Sequence, residues 1–207
     1  MSATPPARPA RALHAVREAR QIEALASGAR QELVDALQTL GPCSIAELGA
    51  HLGRASDSLY YHVRLLARAG LVVERGSRRS GARDEALWDV PGRLALDVEP
   101  RTARERRTLL RLVSSALRLA ERELRAALEG GAAVFRRGPA RNAWGARTKG
   151  WLTRDELAQV RAHLEAVSAL VQDARPRRGA RLCSLTFVLT PSLPSPRAAT
   201  ARPPTSP

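Results

Sequence analysis

The stretch from Ser44 to Val72 constrains the fold of this chain more than any other part, because it predicts two short helices joined by a tight turn. Ser44 and Glu47 have the spacing of a capping box, in which each side chain bonds to the backbone N–H of the other residue and starts a helix. Apolar residues then recur every three or four positions as far as Leu52. Gly53 ends this helix, since glycine accepts the left-handed conformation common at helix C-termini.

The second helix of the pair is predicted from Ser56, which can cap it, to Arg68. Its buried stripe consists of Leu59, Val63 and Leu66, which fall on one face of a helix. The remaining positions carry hydroxyls and guanidinium groups that suit the major groove of DNA, since arginine bonds bidentately to guanine and hydroxyls reach bases or phosphates. We expect these side chains of the helix to contact DNA: Ser56, Ser58, Tyr60, Tyr61, Arg64 and Arg68.

A basic hairpin is predicted directly after the helix pair. Strands at 72–75 and 86–90 flank a connection, 76–83, that holds two glycines, two serines and three arginines. A hairpin with a basic tip beside a helix-turn-helix is positioned to lie along the phosphate backbone of a duplex. We expect four arginines of this segment to contact phosphates: Arg75, Arg78, Arg79 and Arg83.

These segments resemble a known family of regulators. The run from Ala24 to Leu37 looks like the opening helices of the arsenical-resistance-repressor-like (ArsR-like) winged-helix regulators, and the run from Leu59 to Val72 looks like their recognition helix and its exit. The resemblance covers roughly residues 20–92 and implies a winged-helix fold, dimers and control of transcription through DNA. In metal-sensing members of this family, a Cys-x-Cys pair stands at the start of the recognition helix. Here residues 53–55 are Gly-Arg-Ala, so metal sensing by that route is not expected.

The net charge is compatible with a polyanionic partner but does not by itself indicate one. The formal net charge is +14, and each phosphate that such a chain neutralises releases counterions. All but one of the 34 basic residues are arginine, the exception being Lys149, and a genome rich in G and C produces such a composition without selection for binding. The clustering of arginine in the predicted hairpin is therefore the stronger indication.

Several features of the sequence indicate the cellular compartment in which the protein is expected. No apolar run approaches the roughly 18 residues that a membrane-spanning helix needs. The N-terminus has no apolar core of a secretory signal. The two cysteines, Cys43 and Cys183, are far apart and belong to no group with metal-ligand spacing. We therefore expect a cytoplasmic protein that makes no contact with a membrane.

The second half of the chain contains a long helix that predicts a dimer. Thr102 and Glu105 form a second capping box, and the helix that they start runs to about Leu128. Its apolar stripe is wider than a small domain needs for its own packing, so we expect it to pair with a second copy of the chain, the alternative being burial within one chain. The residues expected to carry this dimer contact are Leu110, Val113, Leu117 and Leu124.

Other elements are predicted from periodicity and from a further capping motif. Helices are expected at 14–26 and 28–40, ahead of the helix pair, and a third capping box at Thr153 predicts another helix late in the chain. The alternating apolar run at 181–190 predicts a strand. Because a lone strand is unstable, we expect it to pair with a strand at about 144–152.

The predicted fold class is α+β and mostly α. A winged helix-turn-helix DNA-binding domain at 12–92 precedes a helix–strand–helix–strand dimerisation unit at 93–190. The second unit is also where a small-molecule effector would bind if the protein responds to one. The ends, 1–11 and 191–207, have compositions typical of disorder.

The sequence offers no assembled catalytic set. We find no glycine-rich phosphate loop, nucleophile elbow or paired His and carboxylate motif, so we expect no enzyme, no cofactor and no metal site. The function predicted is that of a homodimeric transcriptional regulator that binds double-stranded DNA sequence-specifically at an inverted repeat. Two alternatives stay open: a winged-helix module that binds another protein, and a thiol- or metal-responsive regulator that uses Cys43 or Cys183.

Overall fold

The fold combines six helices with two small sheets in the residues that the structure describes. The structure is a computed structural model that describes residues 11–81, 83–174 and 177–192, without the side chain of Arg83. The ends predicted to be disordered lie outside these ranges, except for residues 11, 191 and 192. The elements, in chain order, are β1 (Leu13–Val16), α1 (Ala19–Leu25), α2 (Gly28–Leu40), α3 (Ile45–Leu52), α4 (Ser56–Arg68), β2 (Val73–Ser80), β3 (Arg83–Asp89), β4 (Arg93–Leu96), α5 (Ala103–Glu129) and α6 (Arg154–Asp173).

The core lies among α1, α2, α3 and α4. The stripe predicted for α4 is confirmed, since Leu59, Val63 and Leu66 are all buried, and they pack with Leu33 and Leu48 of the neighbouring helices. Full burial of an aliphatic side chain of this size stabilises a fold by about 1.5–3 kcal/mol. This layer therefore holds α4 rigidly from one side and leaves its other side free for contacts.

The three predicted capping boxes are confirmed. In α3, for example, the Glu47 N–H donates to Ser44 Oγ at 3.3 Å, and the Ser44 N–H donates to Glu47 Oε2 at 2.9 Å. The prediction that Ser56 caps α4 is wrong. Ala55 occupies the N-cap position without a side-chain bond, and Ser58 Oγ donates to the Ala55 carbonyl at 2.7 Å.

Glycine makes the turn between α3 and α4 tight. Gly53 adopts the predicted left-handed conformation, with φ of +62°. Gly49 lies against the turn, where a Cβ atom would come within 2.7 Å of the Arg54 carbonyl oxygen. Only glycine allows the backbone to approach this closely, so both residues set the angle at which α4 leaves α3.

The N-terminal segment differs from its prediction. The helix predicted at 14–26 is wrong in its first part, because Leu13–Val16 forms β1, which pairs in parallel with β4. Helix α1 begins only at Ala19, where Gln21 Oε1 accepts the backbone N–H groups of Arg17 and Glu18. This pairing also ties 93–96 to the N-terminal half, although the predicted domain boundary assigned them to the second unit.

Arg11 is also ordered, although the disordered N-terminal segment was predicted to extend to it. Its guanidinium group forms an ion pair with Asp89 at 2.9 Å, and both side chains are largely buried. A carboxylate held out of water needs a partner, and Arg11 provides the positive charge. The prediction for residues 1–10 falls outside the described residues.

The β2–β3 hairpin is present and longer than predicted. Its strands pair antiparallel from Val73 opposite Asp89 to Ser80 opposite Arg83, with an irregularity between Glu74 and Ser77. The predicted strands, 72–75 and 86–90, therefore extend into the basic connection. Cys43 and Trp88 also form a backbone bridge, which attaches the segment before α3 to the hairpin.

Helix α5 divides its two apolar stripes between the core and the surface. Leu112 and Leu119 are buried toward α1 and α2, and the Leu112 carbonyl accepts a hydrogen bond from Gln31 Nε2 at 3.1 Å. Val113 is half-buried and packs against the same core. Three leucines remain exposed at a spacing of seven residues: Leu110, Leu117 and Leu124.

The strands predicted in the second half are wrong. Residues 144–152 and 181–190 have no regular secondary structure, so the unit has no helix–strand–helix–strand order. Strand formation requires a partner for the backbone hydrogen bonds, and neither segment has one in the described ranges. Helix α6, which lies between these segments, has no buried residue. None of the described helices has both the length and the apolar character needed to span a membrane.

Candidate nucleic-acid interface

The outward face of α4 is uncovered. Tyr60 and Tyr61 are 51% and 67% exposed, and the side chains of Arg64 and Arg68 also lie open to solvent. These four residues, with Asp57 and Leu65, line a shallow groove along the helix. The helix thus has one face held in the core and a polar, cationic face available to a partner.

The serines predicted to contact DNA occupy two different environments. Ser58 is exposed, and its hydroxyl donates to the carbonyl oxygen of Ala55. Its lone pairs can still accept a hydrogen bond from a partner. Ser56 is half-buried beside Gly49 in the α3–α4 turn, so it is less open than the other predicted residues of α4.

His62 lies at the edge of the core. It is half-buried, and its ring meets the ring of Tyr61 edge-on with centroids 5.5 Å apart. Burial, followed by the positive charges of Arg30 and Arg54, lowers the pKa of His62 below its usual value of 6.5. The imidazole is therefore neutral at pH 7 and supports Tyr61 without adding charge to the α4 face.

The arginines of β2 divide into two kinds. Arg75, Arg78 and Arg79 are all exposed, but Arg78 forms an ion pair with Glu47 Oε1 at 2.6 Å. Arg75 and Arg79 pair with no carboxylate that the structure describes. The side chain of Arg83, also predicted to contact phosphate, lies outside the described residues.

The Glu47–Arg78 ion pair joins the hairpin to the start of α3. The hydrogen bond from the Ser44 N–H, and then the one from Arg78, lower the pKa of the Glu47 carboxyl, which stays ionised at neutral pH. The two oxygens of this carboxylate have separate partners, because Oε2 caps α3 and Oε1 binds Arg78. The sequence motif revealed only the capping role, since the pairing with Arg78 depends on how the hairpin folds back.

A second ion-pair group joins α5 to the turn before α4. Glu32 of α2 binds Arg54 at 2.6 Å through Oε2 and binds Arg122 of α5 through Oε1. The Glu32 side chain is only 18% exposed, so screening by solvent is reduced. These contacts give α5 a direct physical connection to the N-terminal end of α4, which sequence periodicity did not indicate.

The two cysteines differ in exposure. Cys43 is buried, and this burial, helped by the negative charges of Glu47 and Asp89, raises the pKa of its thiol to about 11. Cys183 is exposed, and neither residue forms a disulfide. The described side chains also contain no group of three or more His, Cys, Asp or Glu residues arranged to bind a metal ion.

We expect an alkylating reagent at pH 8 to modify Cys183 and to leave Cys43 intact in the folded protein. With a raised pKa of about 11, only about one Cys43 thiol in a thousand is the reactive thiolate at that pH. Peptide mass mapping measures both sites, and unfolding in guanidinium should make them equally reactive. Equal alkylation of the two residues in the folded protein would contradict the raised pKa of the Cys43 thiol.

Comparison with protein families places the candidate interface within a recognised domain. Residues 25–75 match a family model described as a helix-turn-helix domain. The match extends from the end of α1 to Arg75 in β2, so it includes the buried stripe and the exposed face of α4. A comparison with curated proteins gave no match. The chain therefore contains an N-terminal helix-turn-helix domain, which suggests a DNA-binding regulator.

Proposed function

We propose that this protein is a sequence-specific, DNA-binding transcriptional regulator that acts as a winged-helix homodimer on an inverted-repeat operator. The observation that carries the proposal is the uncovered face of α4, with Tyr61, Arg64 and Arg68 directed away from a fully buried stripe. The family match over the same helix supports it. A helix of this kind inserts into the major groove and reads the edges of the bases.

The proposed contacts are of two kinds: contacts to base edges, which depend on the sequence, and contacts to phosphates, which do not. Arg64 and Tyr61 meet base edges, where a bidentate arginine–guanine contact discriminates by about 1–3 kcal/mol. The β2–β3 hairpin acts as the wing, and Arg75 and Arg79 bind phosphates without regard to sequence. Arg78 is held by Glu47 in the free protein, so it is not counted among these phosphate contacts.

The proposed dimer uses the exposed stripe of α5. Leu110, Leu117 and Leu124 repeat every seven residues, which is the spacing of a coiled-coil seam. The opposite face of α5 packs on the core of the helix-turn-helix half. Contact between two copies of α5 would therefore hold the two α4 helices at a fixed separation. For an inverted repeat that separation is about 34 Å, one turn of DNA.

The proposal is tested by fluorescence anisotropy with labelled duplex DNA at several salt concentrations. We expect tight binding at low salt that weakens linearly on a log–log plot, because counterions are released from the phosphates. Recovery of bound genomic fragments should then yield a two-fold symmetric site. A protein that binds no duplex even at low salt would not be a DNA-binding regulator.

We expect Arg64→Ala to reduce discrimination between the recovered site and a site with changed bases. The loss should be about 1–3 kcal/mol, or roughly fivefold to 150-fold, because one base contact is removed. Competition binding with the two duplexes measures it. Arg118→Ala is the matched control, since Arg118 is exposed on α5. If Arg64→Ala weakens both duplexes equally, Arg64 binds phosphate instead of a base.

We expect Glu47→Gln to strengthen binding to all duplexes and to steepen the salt dependence by up to about one unit per bound protomer. The substitution frees the Arg78 guanidinium for a phosphate, and each phosphate contact contributes about 0.9 to the slope. Glutamine also serves in a capping box, so α3 should persist. Glu105→Gln is the matched control at the same capping position of α5. Identical slopes for the two variants would show that Arg78 does not become available to DNA.

A further inference from the structure

The connection between α5 and α6 is strongly basic. This basic loop, defined as residues 132–152, contains four arginines and Lys149 and has no acidic residue. It also contains three aromatic residues, of which Trp151 is fully exposed and Trp144 is 75% exposed. The charge here is therefore concentrated in one continuous segment of the chain.

The first half of the basic loop has a defined shape. Asn142 Oδ1 accepts the Val134 N–H at 2.7 Å, and Asn142 Nδ2 donates to the Ala132 carbonyl at 2.9 Å. The Arg141 guanidinium lies 3.6 Å above the ring of Trp144, a cation–π contact. These contacts hold the start of the loop in a fold of its own beyond the end of α5.

The remaining cations of the basic loop have no counter-charge. Arg136, Arg137, Arg147 and Lys149 are exposed, and none forms an ion pair with a carboxylate in the described ranges. Elsewhere, several exposed arginines do pair, as Arg125 does with Glu121. Four unpaired cations in a segment without acids repel one another unless a polyanion is present.

The ion pairs of Glu32 connect α5, the helix that precedes the basic loop, to the turn before α4. Glu32 binds both Arg54, directly before α4, and Arg122 of α5. Helix α5 ends at Glu129, which lies seven residues, or about 10 Å, beyond Arg122. The loop therefore starts about 10 Å along α5 from the ion-pair group that lies beside the N-terminal end of α4.

We propose that the basic loop is a second DNA-binding element, which contacts phosphates of the duplex flanking the segment read by α4. This inference rests on the proposed function. The four unpaired side chains supply the contacts, and the folded start of the loop directs them. If each neutralises one phosphate, the four side chains contribute roughly 3 to 4 units per protomer, or about 7 units for a dimer, to the salt dependence of binding.

The test compares two duplexes of arbitrary sequence, one of about 20 base pairs that spans two half-sites, and one of about 40 that adds flanks. The test variant combines Arg136→Gln, Arg137→Gln, Arg147→Gln and Lys149→Gln. The control variant changes four exposed arginines beyond the loop to glutamine: Arg161, Arg177, Arg178 and Arg181. Anisotropy titrations give the salt slope of each full-length protein, and circular dichroism checks that the helices persist.

We expect the loop variant to lose roughly 3 to 4 units of salt slope per bound protomer on the long duplex and little on the short one, while the control variant stays like wild type. If wild type binds neither duplex, the proposed function itself fails. If wild type binds but the loop and control variants have the same slope, only the role of the loop fails. A loss of binding confined to single-stranded DNA, or to vesicles of anionic lipid, would also overturn the duplex assignment.

Discussion

Leu117→Glu is expected to convert the proposed dimer into a monomer and to lower its affinity for an inverted-repeat operator by about a hundredfold or more. Leu117 is exposed at the centre of the stripe formed by Leu110 and Leu124. A carboxylate there would be buried without a partner in each copy, which costs about 3 kcal/mol or more. Since 1.4 kcal/mol is a factor of ten, this cost accounts for the expected loss of affinity.

Sedimentation equilibrium measures the oligomeric state, and anisotropy on the recovered operator measures the affinity. Leu13→Glu is the matched control, because Leu13 is a similarly exposed leucine, 65% accessible, that lies on β1 instead of α5. The variant Leu117→Glu should still bind duplexes of arbitrary sequence at low salt, since α4 and the wing of each copy are unchanged. A Leu117→Glu protein that remains dimeric would exclude this face of α5 as the dimer contact.

Asp89→Ala is expected to lower the free energy of unfolding by about 3–5 kcal/mol. The change leaves the largely buried Arg11 guanidinium without its partner and removes the acceptor of the Val90 N–H, which lies 2.8 Å from Asp89 Oδ1. Breaking one half of a buried ion pair has costs of this size because the remaining charge stays uncompensated. Urea denaturation monitored by circular dichroism gives the free energy.

The matched control for this measurement is Asp97→Ala. Asp97 pairs with Arg17 at 2.7 Å, but both side chains are more than half exposed. An ion pair in solvent contributes only about 0–1 kcal/mol, so the control should be nearly neutral. Equal losses in the two variants would mean that Arg11 and Asp89 are not shielded from water in solution.

The candidate interface was predictable to the extent that it depends on neighbours in the chain. The buried stripe of α4 and the exposed Arg64 both follow from the repeat of 3.6 residues per turn. The ion pair between Glu47 and Arg78 was not predictable, because it joins residues that only the fold of the hairpin brings together. The ion pair between Glu32 and Arg122 of α5 was not predictable either, because these residues are also distant in sequence.

The strands were also hard to predict: one strand that forms was missed, and one that was predicted does not form. Strand β1 was missed because its partner, β4, lies about 80 residues away, and four residues carry too little periodicity to indicate it. The alternating run at 181–190 indicated a strand, but alternation alone supplies no partner for its backbone. Pairing over long distances is thus decided by the whole chain and not by a local pattern.

By itself, the sequence determined the helices that start at capping boxes, the turn at Gly53 and the division of α4 into a buried and an exposed face. These features depend on residues within one or two helical turns, where spacing and backbone preferences act directly. The tertiary structure alone decided which stripe of α5 is buried, which arginines are paired and where Arg11 lies. Such choices depend on charges and surfaces that are distant in sequence, and these meet only when the chain has folded.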